Sequence, residues 1–222
     1  MAQNAHAIAE AAWQSADPGV QFDTTINDWH TCPESGRINA SNPCSEYMFL
    51  DDSACNLSSI NLMKFVREDG EFDVAAFKAA CRTMITAQEI IVPNSSYPTK
   101  AIEKNSHDFR PLGLGYANVG GLLMSSGIGY DSDEGRAITA ALTAMMTGVC
   151  YATSAEMAKE LGPFPRHKPN AQHMLRVIRN HRRAAHGETI GYEGLATAPV
   201  ALDAASCPDE RLVVAAREAW NR

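Results

Sequence analysis

The chain has 222 residues, of which 45% are hydrophobic and 20% charged, and its formal net charge at pH 7 is −7. This composition is typical of a globular protein and excludes a disordered one. The acidic balance argues against a general nucleic-acid binder, which usually carries an excess of Lys and Arg. No stretch approaches the ~18 apolar residues of a membrane span, and residues 1–13 do not resemble a signal peptide. We therefore expect a cytoplasmic protein without membrane contact.

The first third of the chain is rich in turn-forming residues, and it predicts short strands. Asp17-Pro18-Gly19 is a turn signal, and the β-forming residues after it predict a strand over 20–26. Further strands are predicted over 46–50 and 54–62. Asp51-Asp52-Ser53 would join them in a hairpin-like excursion.

The remainder of the chain is predicted to be largely helical. Asp73 can cap a helix that ends at Pro93. Asp131 and Glu134 resemble a capping box before a long helix that ends near Gly162. Further helices are predicted over 100–107, 116–126 and 170–186, and from residue 208 onward. The mixture of strands and helices predicts an α/β fold, and it fits an excerpt from an α/β barrel at least as well as a complete domain.

The densest group of reactive side chains lies in Asn42-Pro43-Cys44-Ser45-Glu46, and Cys55 follows shortly after it. If this segment is extended, Asn42, Cys44 and Glu46 alternate along the chain and face one space. A thiol can be a nucleophile, a metal ligand or a hydrogen-atom donor, and a carboxylate beside it can be a general base. The nearby carboxylate disfavours a thiolate and therefore favours a neutral thiol. Two ordinary core cysteines beside a capped turn are the alternative interpretation.

The other cysteines and the basic segment suggest less specific chemistry. The six cysteines lack a Cys-x-x-Cys pair and the ligand spacing of a structural zinc site, so we predict no metal centre. Cys81 and Cys150 lie on apolar helical stripes and are expected in the core. The segment 166–186 carries six Arg and Lys residues without an acid between them. It is a solvated helix face, or it contacts nucleotide phosphate or an acidic surface.

Together with its flanks, the reactive cluster resembles the catalytic segment of ribonucleotide reductases. The similarity lies in residues 36–62, which include Asn-Pro-Cys-Ser-Glu and Ser-Ala-Cys-Asn-Leu-Ser-Ser-Ile-Asn-Leu, and in the flanking residues 21–32 and 110–118. The segment is most similar to the adenosylcobalamin-dependent class II enzymes. The resemblance is recognisable over about 13–161 and is weak to absent from residue 163 onward.

The resemblance implies a radical mechanism on the ribose of a nucleotide. Cys44 would be the thiyl radical that removes the 3′ hydrogen atom, and Glu46 would accept the proton of the 3′-hydroxyl. Asn42 and Ser45 would bind the substrate, with Asn42 orienting the ribose hydroxyls. The 2′-hydroxyl would leave as water.

The resemblance also implies a redox pair, a cofactor and partners. Cys55 would be one half of a redox-active disulfide, whose partner in this family lies upstream of the residues present here. Cys32 is a conceivable substitute that the resemblance does not assign. The cofactor would be adenosylcobalamin, with no residue assigned to it. The partners would be a ribonucleoside di- or triphosphate, an external dithiol such as thioredoxin, and the remaining reductase segments or a second copy of the chain.

The implied fold is part of the ten-stranded α/β barrel of these enzymes, with the catalytic cysteine on a loop or hairpin inside the barrel and a largely helical second half. We expect residues 1–162 to be a partial catalytic barrel. Residues 163–222 are expected to be a helical, basic segment of the same domain, or an insertion. The family's later phosphate-binding loop, allosteric regions and C-terminal cysteine pair have no counterpart, so we expect a fragment.

Three alternatives remain. The chain could be an inactive remnant or a complementing half of a split reductase that acts as an interaction partner. It could belong to a class I large subunit, which takes its radical from a second subunit. It could also be a thiol–disulfide protein using Cys44 and Cys55, although it lacks the usual Cys-x-x-Cys pair.

Overall fold

The computed structural model describes residues 2–221, and these residues form one parallel pair of strands among eight helices. In chain order the elements are α1 (Ala2–Ser15), α2 (Asp23–Asp28), β1 (Asn56–Asn61), α3 (Val74–Ile91), α4 (Lys100–Phe109), β2 (Leu112–Ala117), α5 (Val119–Ser125), α6 (Asp133–Leu161), α7 (His167–His186) and α8 (Glu210–Ala219). Single 3-10 turns lie at Pro33–Ser35, Leu62–Phe65 and Val92–Asn94.

Strands β1 and β2 pair in parallel because α3 and α4 return the chain to the same end of the sheet. The register places Leu57 opposite Gly113 and Ile60 opposite Tyr116. Ile60 is buried, whereas the side chain of Leu57 on the opposite face is 64% exposed. One face of the strand pair therefore packs on the helices, and the other face is open among the described residues.

Helix α6 forms the centre of the core, where it packs against α3 and α8. Ser132 caps it by accepting a hydrogen bond from the backbone N–H of Gly135 at 3.0 Å. A Cβ atom at Gly148 would lie 2.8 Å from Cβ of Ala219, so this glycine allows α6 and α8 to approach closely. The side chains that are completely buried here include Phe77, Cys81, Leu142, Met145 and Ala216.

The length and apolar composition of α6 would also allow it to cross a membrane. This differs from the sequence expectation that no stretch approaches a membrane span. Leu142 and Met145 of α6 are completely buried in the protein core, however. The apolar composition of α6 is explained by its contacts with α3 and α8.

A second, smaller cluster orders the segment ahead of the reactive residues. Cys32, Leu50 and Phe109 are buried together in it. Nε2 of the buried His30 donates to the carbonyl oxygen of Gly36 at 2.9 Å, and its Nδ1 accepts from the N–H of Cys32 at 3.3 Å. Burial lowers the pKa of His30, which keeps the ring neutral and able to accept at Nδ1.

The arginines of α7 form ion pairs and hydrogen bonds with other parts of the chain. Arg179 and Arg183 pair with Glu193, and their hydrogen bonds lower the pKa of that carboxyl to about 2. Arg176 donates to the backbone carbonyls of Glu193 and Asp28 at 3.1 and 2.7 Å. Three arginines of the segment that was predicted to be a solvated face, or to contact phosphate or an acidic surface, therefore hold the loop after α7 in place.

Most of the predicted helices are confirmed, with small shifts at their ends. Asp73 caps α3 by accepting from the N–H of Ala76 at 2.9 Å. The helices predicted over 100–107 and 170–186 are α4 and α7. The long helix predicted after Asp131 is also present, although Ser132 rather than an Asp131–Glu134 box caps it.

Several predictions for the N-terminal part and its neighbours are wrong. The strand predicted over 20–26 is replaced by α2, because Asn27 binds both backbone groups of Ile38 at 3.1 Å and holds a helical turn there. No strand forms over 46–50, and the strand predicted over 54–62 is confirmed as β1. The helix predicted over 116–126 begins only at Val119, as α5. Residues 112–117 form strand β2 instead.

We predict that Gly148→Ala destabilises the chain. The added methyl group would overlap Ala219. The cost of this overlap exceeds the gain in helix propensity from Gly to Ala, so the free energy of unfolding should fall by about 1 kcal/mol. Urea unfolding would measure it. Gly121→Ala in α5 is the matched control, because its Cβ meets only ordinary contacts at 3.8 Å. Equal unfolding midpoints for the two variants would contradict the close helix contact.

Candidate functional site

Residues 42–45 form a tight turn, which differs from the extended segment that the sequence predicted. The N–H of Ser45 donates to the carbonyl oxygen of Asn42 at 3.0 Å, and Ser45 has a φ of +64°. Ser41 and Met48 pair across the turn in an antiparallel bridge. Because the chain reverses here, the predicted alternation of Asn42, Cys44 and Glu46 along one face does not occur.

Asn42 holds this turn together with its own side chain. Its Oδ1 accepts from the N–H of Tyr47 at 2.9 Å, and its backbone N–H donates to the carbonyl oxygen of Tyr47 at 3.3 Å. The hydroxyl of Ser41 donates to the carbonyl oxygen of Asn42 at 2.7 Å. The Oδ1 atom of Asn42 is therefore bound within the turn, and its Nδ2 is the atom that can donate to a ligand.

The three residues that follow Pro43 lie at the exposed tip of the turn. Cys44 is a free thiol and is exposed, as are Ser45 and Glu46. A thiol in this position can be reached by a substrate or by another part of a larger protein. The resemblance implied a catalytic cysteine inside the barrel, and the described residues by themselves leave Cys44 exposed.

Cys55 lies directly before β1, and it is a half-buried free thiol. Burial raises the pKa of Cys55 to about 11, and the negative charge of Glu46 adds to the rise. The turn that carries Glu46 is attached near Cys55, because the hydroxyl of Tyr47 donates to Oγ of Ser53, two residues before Cys55. The sequence predicted a neutral thiol at Cys44, whereas the raised pKa found here is that of Cys55.

Tyr47 connects the turn to the segment before Cys55. Its hydroxyl donates to Oγ of Ser53 at 2.9 Å, and Oγ of Ser53 donates to the carbonyl oxygen of Leu50 at 2.5 Å. Burial raises the pKa of Tyr47 to about 12, so its hydroxyl remains a donor at neutral pH. The sequence reasoning missed this link; the only signal was an aromatic residue directly after Glu46.

Gln88 of α3 joins the starts of both strands next to Cys55. Its Nε2 donates to the carbonyl oxygens of Asn56 at 2.9 Å and Gly113 at 2.8 Å. Nδ2 of Asn56 returns a bond to the carbonyl oxygen of Gln88 at 3.2 Å. Gln88 also went unnoticed in the sequence, although a polar residue on the apolar stripe of α3 was a usable signal.

The remaining cysteines lie outside this group. Cys32 is buried in the small apolar cluster, where burial raises its pKa and Oγ1 of Thr31 lies 3.8 Å from its sulfur. Cys81 is buried and Cys150 is partly buried against the core, as predicted, and burial raises the pKa of each to about 12. Within residues 2–221, no group of three or more His, Cys, Asp and Glu side chains could hold a metal ion.

We predict that Tyr47→Phe weakens the attachment of the turn. The loss of the bond to Ser53 should lower the free energy of unfolding by roughly 1 kcal/mol, which urea unfolding would measure. Tyr130→Phe, at a side chain that is 72% exposed, is the control and should leave the midpoint unchanged. No difference between the two variants would show that the Tyr47 hydroxyl does not attach the turn.

We further predict that Glu46→Gln increases the alkylation rate of Cys55. The alkylation rate of Cys55 should rise with pH until about pH 11, where its thiol is half ionised. Removing the Glu46 charge lowers this pKa, so the profile moves to lower pH. The rates can be followed by mass spectrometry of the Cys55 peptide. Asp52→Asn is the control; a profile that moves equally in the control would contradict the proximity of Glu46.

Comparison with known proteins identifies the family to which the chain is similar. The model of the ribonucleotide reductase barrel domain matches residues 4–221. The match thus extends through 163–221, beyond the limit near residue 161 that the sequence resemblance suggested.

Similar proteins come from several bacteria. A protein of Agrobacterium fabrum named vitamin B12-dependent ribonucleotide reductase is 61% identical over 216 residues, which are 97% of this chain and 17% of that protein. A protein of the same name from Bradyrhizobium diazoefficiens is 60% identical over 96% of this chain and 17% of its own length. A protein of Mycobacterium tuberculosis named vitamin B12-dependent ribonucleoside-diphosphate reductase is 33% identical over 72% of this chain and 23% of its own length.

The chain therefore spans 17% of the length of the first two relatives. The match of the family model nevertheless covers nearly every residue present. The matched residues form helices and one parallel pair of strands, and they include the Asn-Pro-Cys-Ser-Glu turn and Cys55. The chain belongs to the ribonucleotide reductase family, as a part of its barrel domain.

Proposed function

We propose that this chain is the segment of a ribonucleotide reductase that carries the catalytic thiol, and that the assembled protein reduces ribonucleotides to 2′-deoxyribonucleotides. The observation that carries the proposal is the exposed Cys44 turn held beside the neutral thiol of Cys55. The names of the relatives support the reaction class. The substrate would be a ribonucleoside di- or triphosphate.

The residues of the turn have separate roles in the proposed reaction. Cys44, in its thiyl form, removes the 3′ hydrogen atom of the ribose, and Glu46 accepts the proton of the 3′-hydroxyl. Nδ2 of Asn42 donates to a ribose hydroxyl. This role is supported by the hydrogen bond that Oδ1 of Asn42 accepts within the turn, because it leaves Nδ2 available to a ligand. Ser45 at the exposed tip binds the substrate beside them.

Cys55 supplies reducing equivalents in this proposal. Its thiol and a second thiol lose two hydrogen atoms and form a disulfide, while the 2′-hydroxyl leaves as water and hydrogen replaces it on the sugar. The raised pKa of Cys55 supports this role, because a protonated thiol can deliver a hydrogen atom. The second thiol lies in a part of the reductase outside this chain. An external dithiol, such as thioredoxin, reduces the pair again.

The open face of the strand pair supports a place in the barrel wall. We propose that β1 and β2 are two strands of the ten-stranded barrel, with the face of Leu57 turned inward and the Cys44 turn inside. Residues 1–162 are then part of the barrel, and 163–222 a helical segment of the same domain. The partners that cover the open face are the remaining reductase segments or a second copy of the chain, in the cytoplasm.

The proposed cofactor is cobalamin, as the names of the relatives suggest. Its adenosyl form is our proposal from the resemblance to the class II enzymes. When bound, it would supply the radical. The described residues do not form a cobalamin site by themselves. Residues 43–46 are all exposed, so no enclosed space within residues 2–221 surrounds Cys44. No residue of this chain is therefore assigned to the cofactor, and its site would be completed by other segments.

An inactive remnant that acts as an interaction partner of other segments is the second candidate. The exposure of the Cys44 tip and of Leu57 favours it, because both would be covered only in a larger assembly. This candidate and the reductase segment predict different results when the missing segments are supplied.

The test is a chimera in which this chain replaces the matching residues of the Agrobacterium fabrum relative. We expect ribonucleotide reduction with adenosylcobalamin and a dithiol. Cys44→Ala should lower the rate on the order of 10⁴-fold or more, because a reacting group is removed. Cys207→Ala is the matched control and should stay active, since Cys207 is a buried thiol beside α8.

The possible outcomes separate the two candidates. Activity that survives Cys44→Ala would contradict the role of Cys44. A chimera that folds but reduces no ribonucleotide would favour the inactive remnant.

A further inference from the structure

We propose that Gly113 is a positioning residue for Cys55: its missing side chain leaves the space in which the Cys55 sulfur lies against strand β2. The part that Cys55 plays in reduction rests on the proposed function, whereas the contact with Gly113 is observed in the chain itself. Nothing in the sequence motif around Cys44 points to Gly113, which lies 58 residues after Cys55.

The space beside Gly113 is completely taken up by its neighbours. A Cβ atom built on Gly113 would lie 2.7 Å from the sulfur of Cys55 and 2.6 Å from Cδ2 of Leu57. It would also lie 3.5 Å from the carbonyl oxygen of Asn56. The first two distances are shorter than van der Waals contact, so no other residue type can occupy position 113 without moving a neighbour.

The two neighbours differ in how they can respond. Leu57 is 64% exposed and has two side-chain torsions, so its methyl group can turn into open space. Cys55 has a single torsion to its sulfur, so relief there requires a different rotamer. The backbone cannot move away easily, because Gln88 holds the carbonyl oxygens of Asn56 and Gly113 together. The displacement therefore falls on the Cys55 sulfur.

A glycine inside a strand otherwise has a cost. It weakens the strand and often marks a place where another group approaches the backbone closely. Gly115 lies two residues further along β2, opposite Ser59 in the register. A Cβ there would meet only Oγ of Ser59, at 3.8 Å, which is ordinary contact. The close approach to Cys55 is thus specific to Gly113, and Gly115 provides a matched control.

The position of the sulfur decides its chemistry. Against β2, Cys55 is half-buried and close to Glu46, and both effects keep its thiol protonated. Turned away from β2, the sulfur would be more exposed to water. Its pKa would then fall toward the ordinary range of a cysteine.

The first experiment compares Gly113→Ala with Gly115→Ala in this chain. The alkylation rate of Cys55 is measured against pH by mass spectrometry of its peptide, in a Cys44→Ala background. We expect the profile of Gly113→Ala to move by about one pH unit to lower pH, which is roughly a tenfold faster rate at pH 8. Gly115→Ala should match the parent. An unchanged profile in Gly113→Ala, or an equal shift in both variants, would overturn the proposal.

The second experiment measures activity in the Agrobacterium chimera. Gly113→Ala should lower kcat and leave KM unchanged, because Gly113 contacts the thiol and not the substrate. A shifted alkylation profile with an unchanged kcat would overturn the positioning role in catalysis. If the parent chimera has no activity, the proposed function fails, and the alkylation profile still decides whether Gly113 positions Cys55.

A double-mutant comparison separates positioning from general damage to the fold. Gly113→Ala should lower the urea midpoint of the chain, and most of this loss should disappear in a Cys55→Ala background, where the sulfur is absent. The Leu57 contact is the same in both backgrounds, so the difference isolates the sulfur. An equal loss with and without the sulfur would overturn the proposal even if Gly113→Ala alone is too unstable to assay.

Discussion

The arrangement of the candidate site depends on one buried amide. Gln88 is 2% exposed, and its Nε2 donates to the carbonyl oxygens of Asn56, the first residue of β1, and Gly113, the second residue of β2. Its Oε1 has no hydrogen-bond partner among the described residues, so the donor atom makes this link. Losing the donor would leave two strand carbonyls without that partner, at a cost of about 1–3 kcal/mol for each buried group left unsatisfied. Through this amide, α3 sets where β1 and β2 begin.

The start of the strands in turn sets the surroundings of Cys55. Asn56 is the first residue of β1, so the cysteine before it is held at the strand end next to Gly113. From the other side, the turn brings in Glu46, and Tyr47 attaches that turn through Ser53. The two thiols consequently have different environments. One is exposed at the tip of a turn, and the other is half-buried between a strand and a carboxylate.

The helical side of the molecule is well packed and the sheet side is open. Helices α3, α6 and α8 share a core with completely buried side chains, and α7 is held by its own ion pairs with Glu193. On the other face, Leu57 is largely exposed beside two glycines of β2. The sulfur of Cys55 lies on this open side, beside Gly113 and Leu57.

The sequence by itself determined the family and the long helices, and it singled out the candidate reactive residues. These depend on local information: a contiguous motif, an apolar stripe, and caps such as Asp73, whose effects act within a few residues. Only the tertiary structure decided the tight turn at Asn42, the helix at Asp23–Asp28, the internal use of the α7 arginines, and the contacts of Gln88 and Gly113. Each of these joins atoms far apart in the chain or overrides a local preference. Asn27 binds Ile38, Arg176 binds Asp28, and Gly113 meets a sulfur more than fifty residues away. Such contacts leave no periodic pattern in the sequence, because only the folded chain brings their partners together.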